Sequence, residues 1–306
     1  MLEGGVIGIA DSRIENIKKM KENGIRTNFM QLRTPMISEV DDVVKHVDIS
    51  LNTEIKVIEK ISKKALEQKK KHKIILMVEM GDLREGIPKE NLDQIIKKIQ
   101  KLKKIELYGI GMNLACLGGA TPTQEKIKEF CILVKNIEDK HKIKFQMISG
   151  GNSANISGLL EKSEKTKINN LRIGEGILLG VETVNRTPIP DTYQDAFILE
   201  AEIIENKLKE SKPYGKITQN AFGKIPEFKD VGKINRTILA IGRQDTIIED
   251  LVPLDKNIEI LGSSSDHIIL HVKNNKYNVG DVVRFRLKYG ALLHLFTSKY
   301  IQKTYI

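Results

Sequence analysis

An eight-stranded type of (β/α) barrel lacking its first β/α unit, followed by an all-β C-terminal domain, is the architecture this 306-residue sequence predicts. Three observations predict it. Apolar strand-like runs alternate with helical patterns through the first half of the chain. The last two of those runs end in small-residue turns. After Gly180 the alternation gives way to β-type runs separated by turn signals.

In chain order, strands are expected near residues 6–10, 27–32, 46–51, 73–79, 106–111, 144–148 and 171–174. Helices are expected between them at 14–22, 39–45, 54–71, 89–103, 123–140 and 154–162. Asp11-Ser12 precedes the first helix and Ser38 the second, so each can be capped by a side-chain oxygen. Such repetition argues for a parallel sheet with right-handed connections and helices outside it. Closing a barrel takes eight strands, and seven leave hydrophobic edges, so a further strand and helix are expected upstream of Met1. Met1-Leu2-Glu3-Gly4-Gly5 itself reads as a helix end running into a strand. The alternative is an open doubly wound sheet, whose phosphate loop normally follows the first strand as GxGxxG; that motif does not occur here.

Residues 185–190 form a polar, proline-containing linker, and strands are expected at 196–204, 236–240, 257–261, 267–272 and 282–287. Asn274-Asn275 and Val279-Gly280-Asp281 supply turns between them. The expected division is therefore a barrel domain over 1–184 and a β-domain over 185–306.

The formal charge of +10 comes mostly from helical lysines such as Lys69-Lys70-Lys71 and Lys97-Lys98. With no interleaved aromatic residues to stack bases, these read as solvated faces and not as a nucleic-acid surface. Cys116 and Cys131 belong to no CxxC or Cys/His ligand pattern, which fits a reduced, cytoplasmic setting. No apolar run approaches bilayer length and no leader pattern is visible, so a soluble protein without a membrane partner is expected.

The two small-residue turns are Ser149-Gly150-Gly151-Asn152-Ser153 and Arg172-Ile173-Gly174-Glu175-Gly176. Loops after the last two strands of such a barrel commonly hold a phosphate, because small residues let backbone N–H groups reach its oxygens. A phosphorylated ligand is the expectation, with plain turns as the alternative for these glycines.

Taken with Ile9-Ala10-Asp11-Ser12-Arg13, Met80-Gly81-Asp82-Leu83-Arg84-Glu85-Gly86, Ile260-Leu261-Gly262-Ser263-Ser264-Ser265-Asp266-His267 and Tyr289-Gly290-Ala291-Leu292-Leu293, these turns resemble the pyridoxal-phosphate enzymes of the alanine racemase fold, most closely the ornithine racemase-like branch. The resemblance spans Gly4 to Ile306 and implies a PLP-dependent amino-acid racemase working as a homodimer on a small amino acid. It places Arg172 against the pyridine nitrogen of pyridoxal 5'-phosphate and Arg84 near its phenolic oxygen. Asn113 stands where alanine racemases usually carry a histidine. The phosphate falls to the Ser149 hydroxyl and the N–H groups of Gly150, Gly174 and Glu175. Arginine has no acceptor and stays protonated, so it disfavours a protonated ring nitrogen and weakens the ring as an electron sink, which suits racemisation. Arg172 could instead pair with a helix carboxylate, and Asn113 could be a simple turn former.

Two features depart from the resemblance. The family holds its cofactor covalently through a lysine at the end of the first barrel strand, and that strand is not in this sequence; Lys18 and Lys19 are expected to point outward from the first helix. The tyrosine that alanine racemases supply from the partner subunit is matched here by Arg243, in Ile241-Gly242-Arg243-Gln244-Asp245. The second base then falls to Asp266, His267 or Tyr300, with a structural histidine as the alternative at 267. Glu175, Asp245 and Asp266 are candidates for a substrate ammonium, unless they pair with nearby arginines. A non-catalytic PLP carrier and an inactive truncated form are the alternatives in function.

Overall fold

A computed structural model describes residues 1–160, 166–220, 222–223, 225, 227–274 and 276–306. The chain divides into two compact units, one comprising Met1–Gly176 with Glu182–Thr187 and the other Ile177–Val181 with Pro188–Ile306.

The first unit alternates strand and helix: β1 (Ile9–Asp11), α1 (Ile14–Glu22), β2 (Phe29–Gln31), α2 (Val40–His46), β3 (Ile49–Asn52), α3 (Ile55–Glu67), β4 (His72–Val78), α4 (Leu92–Ile99), β5 (Ile105–Met112), α5 (Gln124–His141), β6 (Met147–Ser149) and α6 (Ile156–Leu160). Among the described residues the six strands pair in parallel in the order β1-β2-β3-β4-β5-β6, a half-barrel. Side chains of alternating residues separate into two layers. Ile74, Leu76, Val78 and Ile110 pack with helix residues Ile58, Ile96 and Phe130 on the outer face, and Met30, Ile49, Leu51, Ile75, Met77 and Met147 pack together on the inner one.

Helix α1 occupies the residues expected, but neither Asp11 nor Ser12 caps it. Arg13 holds the N-cap position without a side-chain bond, and Asp11 Oδ1 accepts the Arg13 N–H at 2.7 Å. Ser38 lies inside a short 3₁₀ turn, Ile37–Glu39, that precedes α2. A side-chain cap does begin α5, where Thr123 Oγ1 accepts the Lys126 N–H. Residues 161–162, at the expected end of the sixth helix, and Asn275 lie outside the described residues.

The strand expected at 171–174 does not form. Its approach contributes one isolated parallel bridge, Ser149 to Asn170. The cause is a side-chain substitute for a ladder rung: the Ile148 N–H donates to Asn169 Oδ1 at 2.8 Å, and Asn169 Nδ2 donates to the Gln146 carbonyl. Main-chain bonds continue through Asn169 N–H to Ile148, Gly150 N–H to Asn170 and Arg172 N–H to Gly151, but out of the register a strand would keep.

At Gly109 the sheet closes tightly. A Cβ there would stand 2.4 Å from the Met147 carbonyl oxygen on β6 and 3.2 Å from Ile75 Cγ1. Gly109→Ala is therefore expected to cost about 2–3 kcal/mol through backbone displacement. A urea titration reads this directly; a cost under about 0.5 kcal/mol would show that β5 can move aside.

The linker after helix α7 (Glu175–Leu179) is a fastened turn. Glu182, 5% exposed, accepts the N–H groups of Val184, Asn185 and Thr187 together with the Thr187 hydroxyl. The second unit carries β7 (Ile198–Glu210), β8 (Lys233–Leu239), β9 (Leu251–Pro253), β10 (Ile258–Ser263), β11 (Ile268–Val272), β12 (Val282–Leu287) and α8 (Tyr289–Thr297). These strands form an antiparallel sheet in the order β10-β11-β8-β7-β12-β9 around Leu199, Ile203, Leu239, Leu270, Val283 and Phe285. The sequence did not disclose β9, three residues ending in proline at a sheet edge, or α8, whose Ala291, Leu292 and Leu295 are buried in an almost wholly apolar run.

Candidate functional site

The C-terminal ends of β5 and β6 bring together residues far apart in the chain. Arg172 Nη1 donates to Ser149 Oγ at 2.5 Å, and its Nη2 donates to the Met112 carbonyl at 2.9 Å and to Asn113 Oδ1 at 3.4 Å. Asn152 Nδ2 donates to the same Asn113 oxygen at 3.1 Å and to the Leu114 carbonyl at 2.9 Å. Burial lowers the Arg172 pKa to about 10, with Glu85 working against that shift, so the guanidinium stays charged at neutral pH. Arg172 thus does not pair with a helix carboxylate; neutral oxygens fix its orientation and leave its charge uncancelled by direct contact.

Three of the four expected phosphate donors, Ser149, Gly150 and Gly174, are engaged within the protein. The Gly150 N–H donates to the Asn170 carbonyl at 2.9 Å, and the Ser149 hydroxyl donates its one proton to Asn170 Oδ1 at 2.5 Å. Gly150 is a glycine for packing: a Cβ would lie 2.6 Å from two carbons of Ile168. The second turn behaves differently. Gly174 and Gly176 both direct their N–H groups at Ser153 Oγ, at 3.3 and 3.1 Å, and a Cβ at Gly174 would meet nothing within 4 Å. A hydroxyl that accepts twice keeps its own proton to donate. The residues therefore add the Ser153 hydroxyl, whose proton is free to meet an anion at the mouth of these turns, to the Ser149, Gly150, Gly174 and Glu175 that the sequence pointed to. Ser153 was legible only as the residue after Asn152, which caps the turn Ser153–Asn155 through the Ala154 N–H.

Arg84 leaves the loop after β4. Its Nη1 approaches Cys116 Sγ at 2.9 Å, and its Nε and Nη2 grip Glu85, which raises the arginine's pKa. Glu175 pairs with Arg186. Lys18 is held on α1 by Asp42 at 3.0 Å and Lys19 is exposed.

In the second unit, Asp266 and His267 occupy the hairpin turn between β10 and β11. Asp266 Oδ2 accepts the Ser265 hydroxyl at 2.7 Å, and His267 Nδ1 lies 3.2 Å from Ser264 Oγ. That turn docks on Gly242–Gln244 through Arg243 N–H to Ser264 O and Gln244 N–H to Ser265 O. Asp245 accepts from Ser298, and Tyr300 is exposed with Lys299 over its ring. The same unit has a groove of about 590 Å³ lined by residues including Tyr193, Glu200, Arg284 and Arg286; none of the residues around Arg172 contributes to it.

The alanine racemase N-terminal domain model matches residues 1–181. The chain belongs to the alanine racemase N-terminal domain family. Within reach of this family it is 46% identical to an ornithine racemase of Acetoanaerobium sticklandii over 298 residues, covering 96% of this chain and 84% of that one. It is 39% identical to a lysine racemase of Thermotoga maritima over 302 residues, covering 98% and 84%. In fold it is similar to an alanine racemase of Clostridium difficile, with a TM-score of 0.68 at 20% identity over 98% of this chain and 79% of that one. A D-threonine aldolase of Filomicrobium marinum shares the fold at TM-score 0.68 and 11% identity, covering 95% and 76%. Membership in the alanine racemase family thus rests on the sequence matches, and the solved structures show the shared fold. Among the described residues no helix is long and apolar enough to cross a membrane, and no group of acidic, histidine or cysteine side chains is arranged to hold a metal ion.

Proposed function

We propose that this chain acts as an amino-acid racemase of the ornithine racemase-like kind, with pyridoxal phosphate as cofactor and a basic amino acid as substrate. The observation that carries the reading is similarity over 96% and 98% of this chain to racemases named for ornithine and lysine, of each of which it covers 84%. When bound, pyridoxal phosphate supplies the electron withdrawal that acidifies a substrate Cα–H. Arg172 supports its binding as a cation with no acceptor, held by Ser149, Met112 and Asn113 where it can face a ring nitrogen without giving up a proton. The Ser153 hydroxyl and the Glu175 N–H would hold the phosphate, joined by the Gly174 N–H on exchanging Ser153 Oγ for a phosphate oxygen, and Arg84 would stand toward the phenolic oxygen. Asp266, His267 and Tyr300 are candidates for the second proton carrier. The reading divides the chain into a cofactor-binding barrel over 1–184 and a β-domain over 185–306, and takes the protein to be a cytoplasmic homodimer.

The test is proton exchange. Purified protein supplied with pyridoxal phosphate in D₂O is expected to erase the Cα-proton NMR signal of L-ornithine or L-lysine at least tenfold faster than that of L-alanine, with the D-isomer accumulating. Exchange no faster than with free pyridoxal phosphate would overturn the racemase reading, and faster exchange with alanine would overturn the substrate class.

A further inference from the structure

Two loops leave neighbouring strands at the end of the sheet where Arg172 stands, and one buried carboxylate joins them. The loop after β4 runs Glu79-Met80-Gly81-Asp82-Leu83-Arg84-Glu85-Gly86; the loop after β5 runs Asn113-Leu114-Ala115-Cys116-Leu117-Gly118. Asp82 is 2% exposed. Its Oδ1 accepts the N–H groups of Cys116 at 3.0 Å and Gly118 at 3.2 Å, and its Oδ2 accepts that of Leu117 at 3.2 Å. Among the described residues no lysine or arginine forms an ion pair with it, so three successive main-chain dipoles balance the charge.

The surroundings are built for this contact. Leu83 and Ala115 sit at φ 54° and 51°, left-handed conformations that side-chain-bearing residues keep only when neighbours hold them. Glu79 Oε1 accepts the N–H groups of Gly81 and Leu83, which turns Asp82 inward. At Gly118 a Cβ would lie 2.5 Å from the Asp82 carbonyl oxygen, so the loops touch backbone to backbone. Each loop also delivers one residue of the proposed cofactor site. Arg84, two residues after Asp82, spans to Cys116 Sγ, and Asn113, three residues before Cys116, accepts from both Arg172 and Asn152.

We infer that Asp82 is a positioning residue: without touching cofactor or substrate, it fixes the separation of Arg84 and Asn113 by clasping the loops that carry them. The clasp follows from this chain's own geometry, while its bearing on the reaction rests on the proposed function. Asp82→Asn keeps the size but removes the charge and turns an amide N–H toward main-chain donors. Asp82→Glu keeps the carboxylate, and Gly118→Ala wedges the loops apart while leaving Asp82 intact.

Hydrogen–deuterium exchange and the absorption band of bound pyridoxal phosphate test this together. Asp82→Asn is expected to speed amide exchange at 116–118 at least tenfold with α5 unchanged, to displace the band, and to weaken pyridoxal phosphate binding at least tenfold. Asp82→Glu is expected to recover part of each change. Should Asp82→Asn fail to fold, Gly118→Ala is expected to give the same pattern. Unchanged exchange at 116–118 in a folded variant overturns the clasp, and faster exchange with an unmoved band and affinity overturns the positioning role. If the unsubstituted protein takes up no pyridoxal phosphate, the proposed function fails, and the clasp stands or falls on the exchange result alone.

Discussion

Replacing Arg172 by alanine is expected to lower the free energy of unfolding by about 3 kcal/mol and to abolish pyridoxal phosphate binding. The guanidinium donates to three acceptors on two other segments, Ser149 Oγ, the Met112 carbonyl and Asn113 Oδ1. Hydrogen bonds from a charged donor contribute about 1.5–3 kcal/mol, and a buried acceptor left without its donor costs a further penalty. Alanine strands the Met112 carbonyl, whose residue is fully buried, while Asn113 keeps only the bond from Asn152. Arg172→Lys separates the roles. It keeps a cation but loses the planar fork that reaches several oxygens at once, so stability is expected to recover in part and binding hardly at all. Urea denaturation and a pyridoxal phosphate titration on both variants read the two effects; a loss under about 1 kcal/mol for alanine would show that the three contacts hold nothing in place.

Acidification is expected to remove about 3 kcal/mol of stability between pH 6.5 and pH 4, with His72 as the main source. His72 is 2% exposed on the helix-facing side of β4, and burial pushes its pKa down from 6.5 to about 4, with Asp48 opposing the shift. Ser50 Oγ accepts from Asn52 Nδ2 at 2.9 Å and lies 2.9 Å from His72 Nε2, so the buried ring has one polar side-chain neighbour on that nitrogen. Burial is what makes the folded protein favour the neutral ring. Below pH 6.5 the unfolded chain takes up a proton that the folded one refuses until about pH 4, so the unfolded state gains and stability falls as pH falls through that window. A gap of about 2.5 pH units corresponds to about 3 kcal/mol. His46 is shifted the same way by burial and adds to the slope, whereas Asp93, lowered to about 2 by Lys140 and His141, acts only at more acid pH. His72→Gln is expected to flatten the profile between pH 6.5 and 4; an unchanged slope would assign the loss to other groups.

How much of this was legible beforehand differs from element to element. The helix at Ile14–Glu22 and the strand at Val282–Leu287 lie where periodicity puts them, since one buried face per element forces one spacing of apolar residues. The run at 171–174 misled because its neighbour Asn169 puts a side chain where a strand would put main chain, and nothing in apolar spacing registers an amide reaching across to Ile148. Edge strand β9 and helix α8 were hidden for related reasons, one by brevity and one by lacking a polar face.

The amino-acid sequence by itself determined the alternation of strand and helix, the change to β-structure after Gly180, the uncancelled lysine charge and the resemblance that named a racemase fold. Each is local chemistry or residue order, fixed before the chain folds. Only the tertiary structure decided that Arg172 would be fastened to Ser149 and Met112, that Ser153 would receive both glycine N–H groups, and that Asp82 would join two loops. Hydrogen bonds of about 3 Å between residues 21 to 60 positions apart depend on where the sheet register brings strand ends together, and register is a property of the assembled sheet that no single segment encodes.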